Sequence, residues 1–433
     1  MSEIVPETVR RYLARRAVRE PWRLSGDPAR AYHGAVVIPS LAEGPSLFRT
    51  LDCLADNPAE QRARYLIIVV VNHRQDAAPA LRRDNLRDLQ ELSRLASRSG
   101  LHLAWVDAAS AGLELPSRQG GVGLARRIGC DLALEHLDWS GRPLLVSLDA
   151  DTLVEPNYLA VVTAHFAAAK AGAAVLPFRH QPAGGPAQQT AIDRYELFIR
   201  CHALGLARAG SPYAYTAVGS AMAARAVTYV RCGGMPRRQA GEDFYFLQQA
   251  VKTDGIARLC GTRVHPSARL SGRTPFGTGQ SMVTQLGKGS RPLLFYPAAA
   301  YRIIEHWLQT ARQLADEPET DLSARAAEVS PILDAFLEEA RFPEAWQRIR
   351  RTHAGGLARL QAFHVWFDGL QTLRLLHRLC ARGLSRRPLE EVLPELFQWC
   401  GLPAADPGAG FALLRSRQEQ PKLFSVGSVD EMC

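Results

Sequence analysis

The chain has 433 residues, 47% hydrophobic and 22% charged, with a formal charge of +9. That is a globular composition with material for two or three domains; it holds no apolar run of roughly eighteen residues that would span a membrane, and no basic tract interleaved with aromatics that would take nucleic acid. The charge is carried by arginine, since the only lysines are Lys170, Lys252, Lys288 and Lys422; arginine's planar fork suits phosphate, and the excess equally allows peripheral contact with an anionic membrane surface.

Residues 1–30 predict a basic amphipathic helix over Pro6–Glu20, ended by Gly26-Asp27-Pro28. Its arginines read first as a solvated face and second as a lipid contact. Arg10 to Arg23 is charged and no apolar core follows it, so it is not a secretion signal, and a cytoplasmic location is expected. The eight cysteines include no C-x-x-C pair, which excludes a zinc knuckle and points to buried thiols in a reducing compartment.

From residue 31 to about residue 290 strands and helices alternate. Ala35–Pro39, Tyr65–Val71, Leu101–Val106 and Pro143–Leu148 read as buried strands; Ser46–Leu54, Leu86–Arg98 and Gly123–Leu137 read as helices between them. Continuous apolar strands separated by helices predict an α/β domain, a mostly parallel sheet covered on both faces. In such sheets ligands gather at the strand C-terminal ends. The polar residues Ser40, Glu43, Asn72, Asp149 and Asp151 fall there. From 291 to 433 only helix-period patterns remain: Tyr301–Leu314, Asp321–Ala340, Pro343–Arg351, Leu357–Arg382 and Pro388–Trp399. This helical region is the candidate for acceptor choice or for a homodimer contact, and Gln418–Cys433 reads as loosely ordered.

The sharpest chemical signal is Leu144-Leu145-Val146-Ser147-Leu148-Asp149-Ala150-Asp151, an apolar strand ending in two carboxylates one residue apart. If the strand continued, both would project to one side and repel each other unless a cation intervened. Mg²⁺ or Mn²⁺ bound there would keep positions open for diphosphate oxygens; the bland alternative is a helix cap or loop turn. The second signal is Gly241-Glu242-Asp243-Phe244, opening a helix. Acidic residues at a helix start are stabilised by the helix dipole in any case. The functional reading makes Asp243 a general base.

The succession Val37-Ile38-Pro39-Ser40, Gly123-Leu124-Ala125-Arg126, Asp149-Ala150-Asp151, Gly233-Gly234-Met235 and Glu242-Asp243 resembles glycosyltransferase family 2, over about residues 32–275. The resemblance implies the GT-A fold and a UDP- or GDP-sugar donor, with a glycan, lipid-linked sugar or small molecule as acceptor. It implies Asp151 as metal ligand, with Asp149 on the metal or the donor ribose. It makes Asp243 the base of an inverting transfer, and Glu242 its neighbour toward the acceptor. Pro39, Ser40, Glu43 and Asn72 would line the nucleotide site, and Arg126 would lie near the donor. His265 would be a third metal ligand. The stretch Arg269 to Gln280 reads as a lid over the diphosphate, with Arg273 at its centre, and Tyr215–Ser220 would shape the acceptor pocket.

Three departures from the family pattern stand out. Asn72-His73-Arg74 replaces the acidic residues that read the base, Ala42 replaces an asparagine before Glu43, and there is no Q-x-x-R-W motif, which favours single addition. The rival readings are a retaining GT-A enzyme, a sugar nucleotidyltransferase and a non-catalytic scaffold.

Overall fold

The computed structural model describes residues 5–18, 20–26, 28, 31–96, 100–272, 277–317, 322–403 and 406–420. Arg273, the expected centre of the lid, and most of the C-terminal segment expected to be loose lie outside them.

Among the described residues ten strands form, in chain order: β1 (Leu24–Ser25), β2 (Gly34–Ser40), β3 (Tyr65–Asn72), β4 (His102–Ala108), β5 (Leu144–Ser147), β6 (Leu153–Val154), β7 (Ala173–Val175), β8 (Met222–Arg225), β9 (Ile256–Arg258) and β10 (Val264–His265). Eight build one sheet in the order β1-β4-β3-β2-β5-β8-β7-β9, and β6 pairs with β10 in a small second sheet. β4, β3, β2 and β5 pair in parallel, as do β7 and β9; only β1 and β8 run against the rest. The sheet is therefore mostly parallel, as the apolar runs require.

Alternate residues of the central strands enter different cores. Ala35, Val37, Leu66, Ile68 and Val70 belong to one cluster, while Val36, Ile38, Ile67, Val69 and Val71 belong to the other. Burial on both faces explains why these strands lack polar alternation. Helices Pro45–Ala55 and Pro79–Leu95 and helix Val122–Ala133 fill the crossovers. The second of these starts earlier than its apolar pattern, because Pro79 occupies its first turn, where a missing N–H is harmless.

The basic N-terminal helix is shorter than expected, Glu7–Arg15, and its apolar stripe is used internally: Val9, Tyr12 and Leu13 are buried. The Tyr12 hydroxyl donates to Asp131 at 2.7 Å, and Tyr229 donates to the same oxygen.

After β10 every regular element among the described residues is helical. The helical region has its own core around Trp307, Phe342, Trp346, Phe363 and Phe367, and the same cluster takes in Leu197, Cys201, Leu204 and Leu206. Those four lie on helix Pro186–Arg208, so this helix joins the sheet layer to the helical region. Two expected long helices are broken. Ser330 caps a new helix at Pro331, and Asp368 caps another at Gly369, accepting from the N–H groups of Leu370 and Gln371 at 3.0 Å. A side-chain acceptor for the free N–H groups of a helix start competes with continuing the previous helix. The seven cysteines among the described residues are unpaired. No described helix is long and apolar enough to cross a membrane.

Candidate active site

The first loop follows β2. Ala42 takes a left-handed conformation (φ 51°), and its N–H donates to Asn85 Oδ1 at 2.7 Å. Gly44 N–H donates to Asp88 at 3.2 Å. Asn85 uses its amide nitrogen on the Asn72 carbonyl and on His73 Nδ1, both at 2.9 Å. Asn72 in turn donates to the Ser40 carbonyl at 3.0 Å. The ends of β2 and β3 are thus stapled by two asparagines, with Asn72 turned to the backbone as a strut. Ser40 is fully buried, its hydroxyl without a protein partner. Pro39 is buried inside β2. Sequence reading missed Asn85 and Asp88; two polar residues three apart on the inward face of an otherwise amphipathic helix were the available signal.

At the end of β5 the geometry departs from the strand argument. β5 stops at Ser147, and Asp149 to Thr152 form a turn closed by Thr152 N–H to the Asp149 carbonyl at 3.1 Å. The two carboxylates go to different guanidiniums. Asp149 pairs with Arg126, and Asp151 pairs with Arg269 at 3.0 Å. Arg269 also grips Glu43, at 2.6 Å from each of its terminal nitrogens. Burial pushes the Asp151 carboxyl up to about 7, with Arg269 opposing and Glu43 and Asp149 adding to the rise.

Arg126 is buried under the site on helix Val122–Ala133 and bridges Asp149 to Glu242. Helix Glu242–Thr253 begins after Gly241, whose left-handed φ of 72° turns the chain into it. Asp243 accepts from Phe244 N–H at 2.8 Å. Burial raises its pKa, Arg126 and that N–H pull it down, and Asp149 raises it again. Such an environment keeps a carboxylate available while making it more basic, as a general base needs. Two partly buried tyrosines feel the charge of Asp243, Tyr195, pushed up to about 12, and Tyr215, pushed well up; burial is the larger cause in each. The Tyr215 hydroxyl has no hydrogen-bond partner. Gly219 abuts Arg126: a Cβ there would lie 2.7 Å from a guanidinium nitrogen.

The structure therefore brings Glu43, Asp149, Asp151, Glu242, Asp243 and Arg126 into one cluster. His265 is near in the chain path but turned elsewhere. It pairs with Leu153 in the small sheet, and Gln181 bridges the carbonyls of His265 and Asp151 at 2.8 Å each. Its ring nitrogens meet the Arg179 carbonyl at 3.1 Å and Glu155 at 2.9 Å. Among the described residues no three His, Cys, Asp or Glu side chains are grouped as a metal cage. Asp149, Asp151 and Glu43 carry the oxygen donors that Mg²⁺ or Mn²⁺ takes, but each is engaged by a guanidinium and the three do not form such a group. Among the described residues, Arg126 and Arg269 pair with four of the cluster's carboxylates.

No protein-family model and no curated protein matches the chain. Among solved structures it is similar to S. aureus TarS 1-349 in complex with UDP-GlcNAc (13% identity, 89% of this chain and 90% of that one, TM-score 0.37). It is similar also to the mannosyltransferase PcManGT from Pyrobaculum calidifontis in complex with GDP-Man and Mn2+ (17%, 95% and 92%, 0.37). A third is glucosyl-3-phosphoglycerate synthase from Mycobacterium tuberculosis in complex with phosphoglyceric acid (16%, 54% and 70%, 0.32). At such scores, function is left to this chain's own residues.

Proposed function

We propose that the chain is an inverting glycosyltransferase that moves a sugar from a nucleotide-diphosphate sugar, UDP- or GDP-linked, to a hydroxyl of a glycan, lipid-linked or small-molecule acceptor. The observation that carries this reading is the bridge made by Arg126. It ties Asp149, in the acidic turn after β5, to Glu242, the residue before Asp243, so the turn suited to a donor and the helix start that carries the base share one guanidinium.

In the reaction the acceptor oxygen forms a bond to the anomeric carbon while the bond from that carbon to the phosphate oxygen breaks. Asp243 takes the acceptor proton, and the nucleoside diphosphate departs with its charge. Arg126 fixes Asp149 and Glu242 through ion pairs while Asp243, one residue on, takes the proton. Tyr215, whose hydroxyl is unpartnered and feels the charge of Asp243, suits the acceptor side. A divalent cation held by Asp151 with Asp149 and Glu43 would neutralise the leaving diphosphate.

The test is transfer or donor hydrolysis with Mn²⁺ across UDP- and GDP-sugars, with the product anomer read by NMR. Asp243→Asn should reduce transfer by about 100-fold or more while nucleotide affinity stays within a few-fold. A retained anomeric configuration, or an active Asp243→Asn variant, overturns the assignment of the base.

A further inference from the structure

The last turn of helix Pro407–Gln418 reaches back from the helical region to the sheet layer. Gln418 sits between two partners there. Its Oε1 accepts from Arg200 Nε at 3.0 Å, and its Nε2 donates to Thr216 Oγ1 at 3.2 Å. Arg200 is itself fixed: its side chain is 1% exposed, pairs with Glu196 at 2.7 Å and donates to the Phe178 carbonyl at 2.6 Å. Arg415, one turn earlier, pairs with the same Glu196 at 2.9 Å. Gln418 therefore hangs on a buried ionic network and hands one amide N–H to Thr216.

Thr216 belongs to the loop between helix Pro186–Arg208 and β8. Farther along this loop Gly219 abuts Arg126, the guanidinium that joins Asp149 to Glu242. Tyr215, next to Thr216 in the chain, carries the unpartnered hydroxyl that feels the charge of Asp243. Tyr215, Thr216, Arg258 and Gln418 line one cavity. Before Tyr215 the loop is held by Arg258, which donates to the Ala214 carbonyl at 2.7 Å, and by the Tyr213 hydroxyl, which donates to the His364 carbonyl at 2.6 Å. The bond from Gln418 holds the residue just after it.

We infer that Gln418 is a positioning residue for the acceptor side of the site: by tying Thr216 to the Arg200–Glu196 network, it sets where Tyr215 presents its hydroxyl to the oxygen that Asp243 deprotonates. This rests on the glycosyltransferase reading above and deepens it, giving the C-terminal helix a part in acceptor chemistry. The hydrogen-bond inventory makes the role separable from plain stability. A glutamate at 418 still accepts from Arg200, and the Thr216 hydroxyl can turn round and donate to it. A leucine loses both bonds, whereas Thr216→Val loses only the second and leaves Arg200 satisfied.

The experiment follows hydrolysis of UDP- and GDP-sugars with Mn²⁺ by the full chain, water standing in for the acceptor. UDP and GDP affinity and hydrogen exchange over residues 211–220 are measured beside it. Thr216→Val should lower kcat by about tenfold, leave nucleotide affinity within a few-fold and raise exchange in that loop. Gln418→Leu should do the same or more, and Thr216→Val carries the test if the leucine variant does not fold. Gln418→Glu should keep the native kcat. Tyr215→Phe should lower kcat too, and adding Thr216→Val to it should cost little more, because both act through one hydroxyl. Native kcat in Thr216→Val, a full second loss in the double variant, or an impaired Gln418→Glu overturns the positioning role and leaves the transferase reading standing. In native protein that binds nucleotide without hydrolysing its sugars, unchanged exchange over 211–220 in Thr216→Val overturns it. Native protein that neither hydrolyses these sugars nor binds UDP or GDP overturns both.

Discussion

Arg126 and Glu242, 116 positions apart in the chain, form an ion pair in which each side chain is only 3% exposed. Removing one partner leaves an uncompensated buried charge, so Arg126→Met should destabilise the fold by about 3 kcal/mol or more. The double variant Arg126→Met/Glu242→Met should regain part of that loss in urea melts while remaining inactive, because Asp149 has lost its partner too. Gly219→Ala should mimic the defect in milder form, since its methyl group displaces the same guanidinium.

Asn85 holds the first loop without being placed to touch a donor. Asn85→Ala deletes an acceptor for Ala42 N–H and a donor to the Asn72 carbonyl. The expected result is a weakening of nucleotide affinity by about tenfold, the equivalent of one or two lost hydrogen bonds. Calorimetry with UDP or GDP checks it. Unchanged affinity would show that the loop keeps its shape unaided.

The helical region reaches helix Glu242–Thr253 through one corner. Lys252 pairs with Asp368 at 2.6 Å, and Gln248 accepts from Leu370 N–H at 2.8 Å. Asp368→Ala removes both this ion pair and a helix cap, and should lower stability by about 1–3 kcal/mol. Because the same helix carries Asp243, kcat should fall while the KM for donor changes little.

Glu196 predicts the acid sensitivity of the fold. Burial alone would raise its pKa, but the hydrogen bond from His180 and the charges of Arg200 and Arg415 outweigh this and hold it at about 2. A carboxylate depressed in the folded state contributes stability above its unfolded pKa, and that contribution disappears as pH falls from about 4.5 toward 2. The amount is about 3 kcal/mol. Glu196→Gln should lower stability at neutral pH and flatten the loss between pH 4.5 and 2 in a denaturant titration series. It should also loosen helix Pro407–Gln418, whose Arg415 ends on this carboxylate.

Much of the architecture was legible before any coordinates. Val36 to Ile38 and Ile67 to Val71 announce buried parallel strands, because only a sheet covered on both faces needs apolar residues at every position. Asp149 and Asp151 stood out by ending such a run, and Asp243 by opening a helix. The breaks at Ser330 and Asp368 were missed: helix periodicity persists across a cap, and only the side-chain acceptor distinguishes a new start from a continuing turn. The expected juxtaposition of Asp149 and Asp151 along a strand was wrong in detail, because the turn at Asp149–Thr152 begins one residue after β5 has ended.

The sequence alone determined the layers of this protein and which carboxylates lie at the strand ends, since hydrophobic pattern and chain punctuation are local properties. The tertiary structure decided which cation each carboxylate meets. Arg126 serves Asp149 and Glu242, Arg269 serves Asp151 and Glu43, and His265 turns to Glu155. Ion pairing acts over a few ångströms in space, and most of these partners are more than a hundred residues apart in the chain.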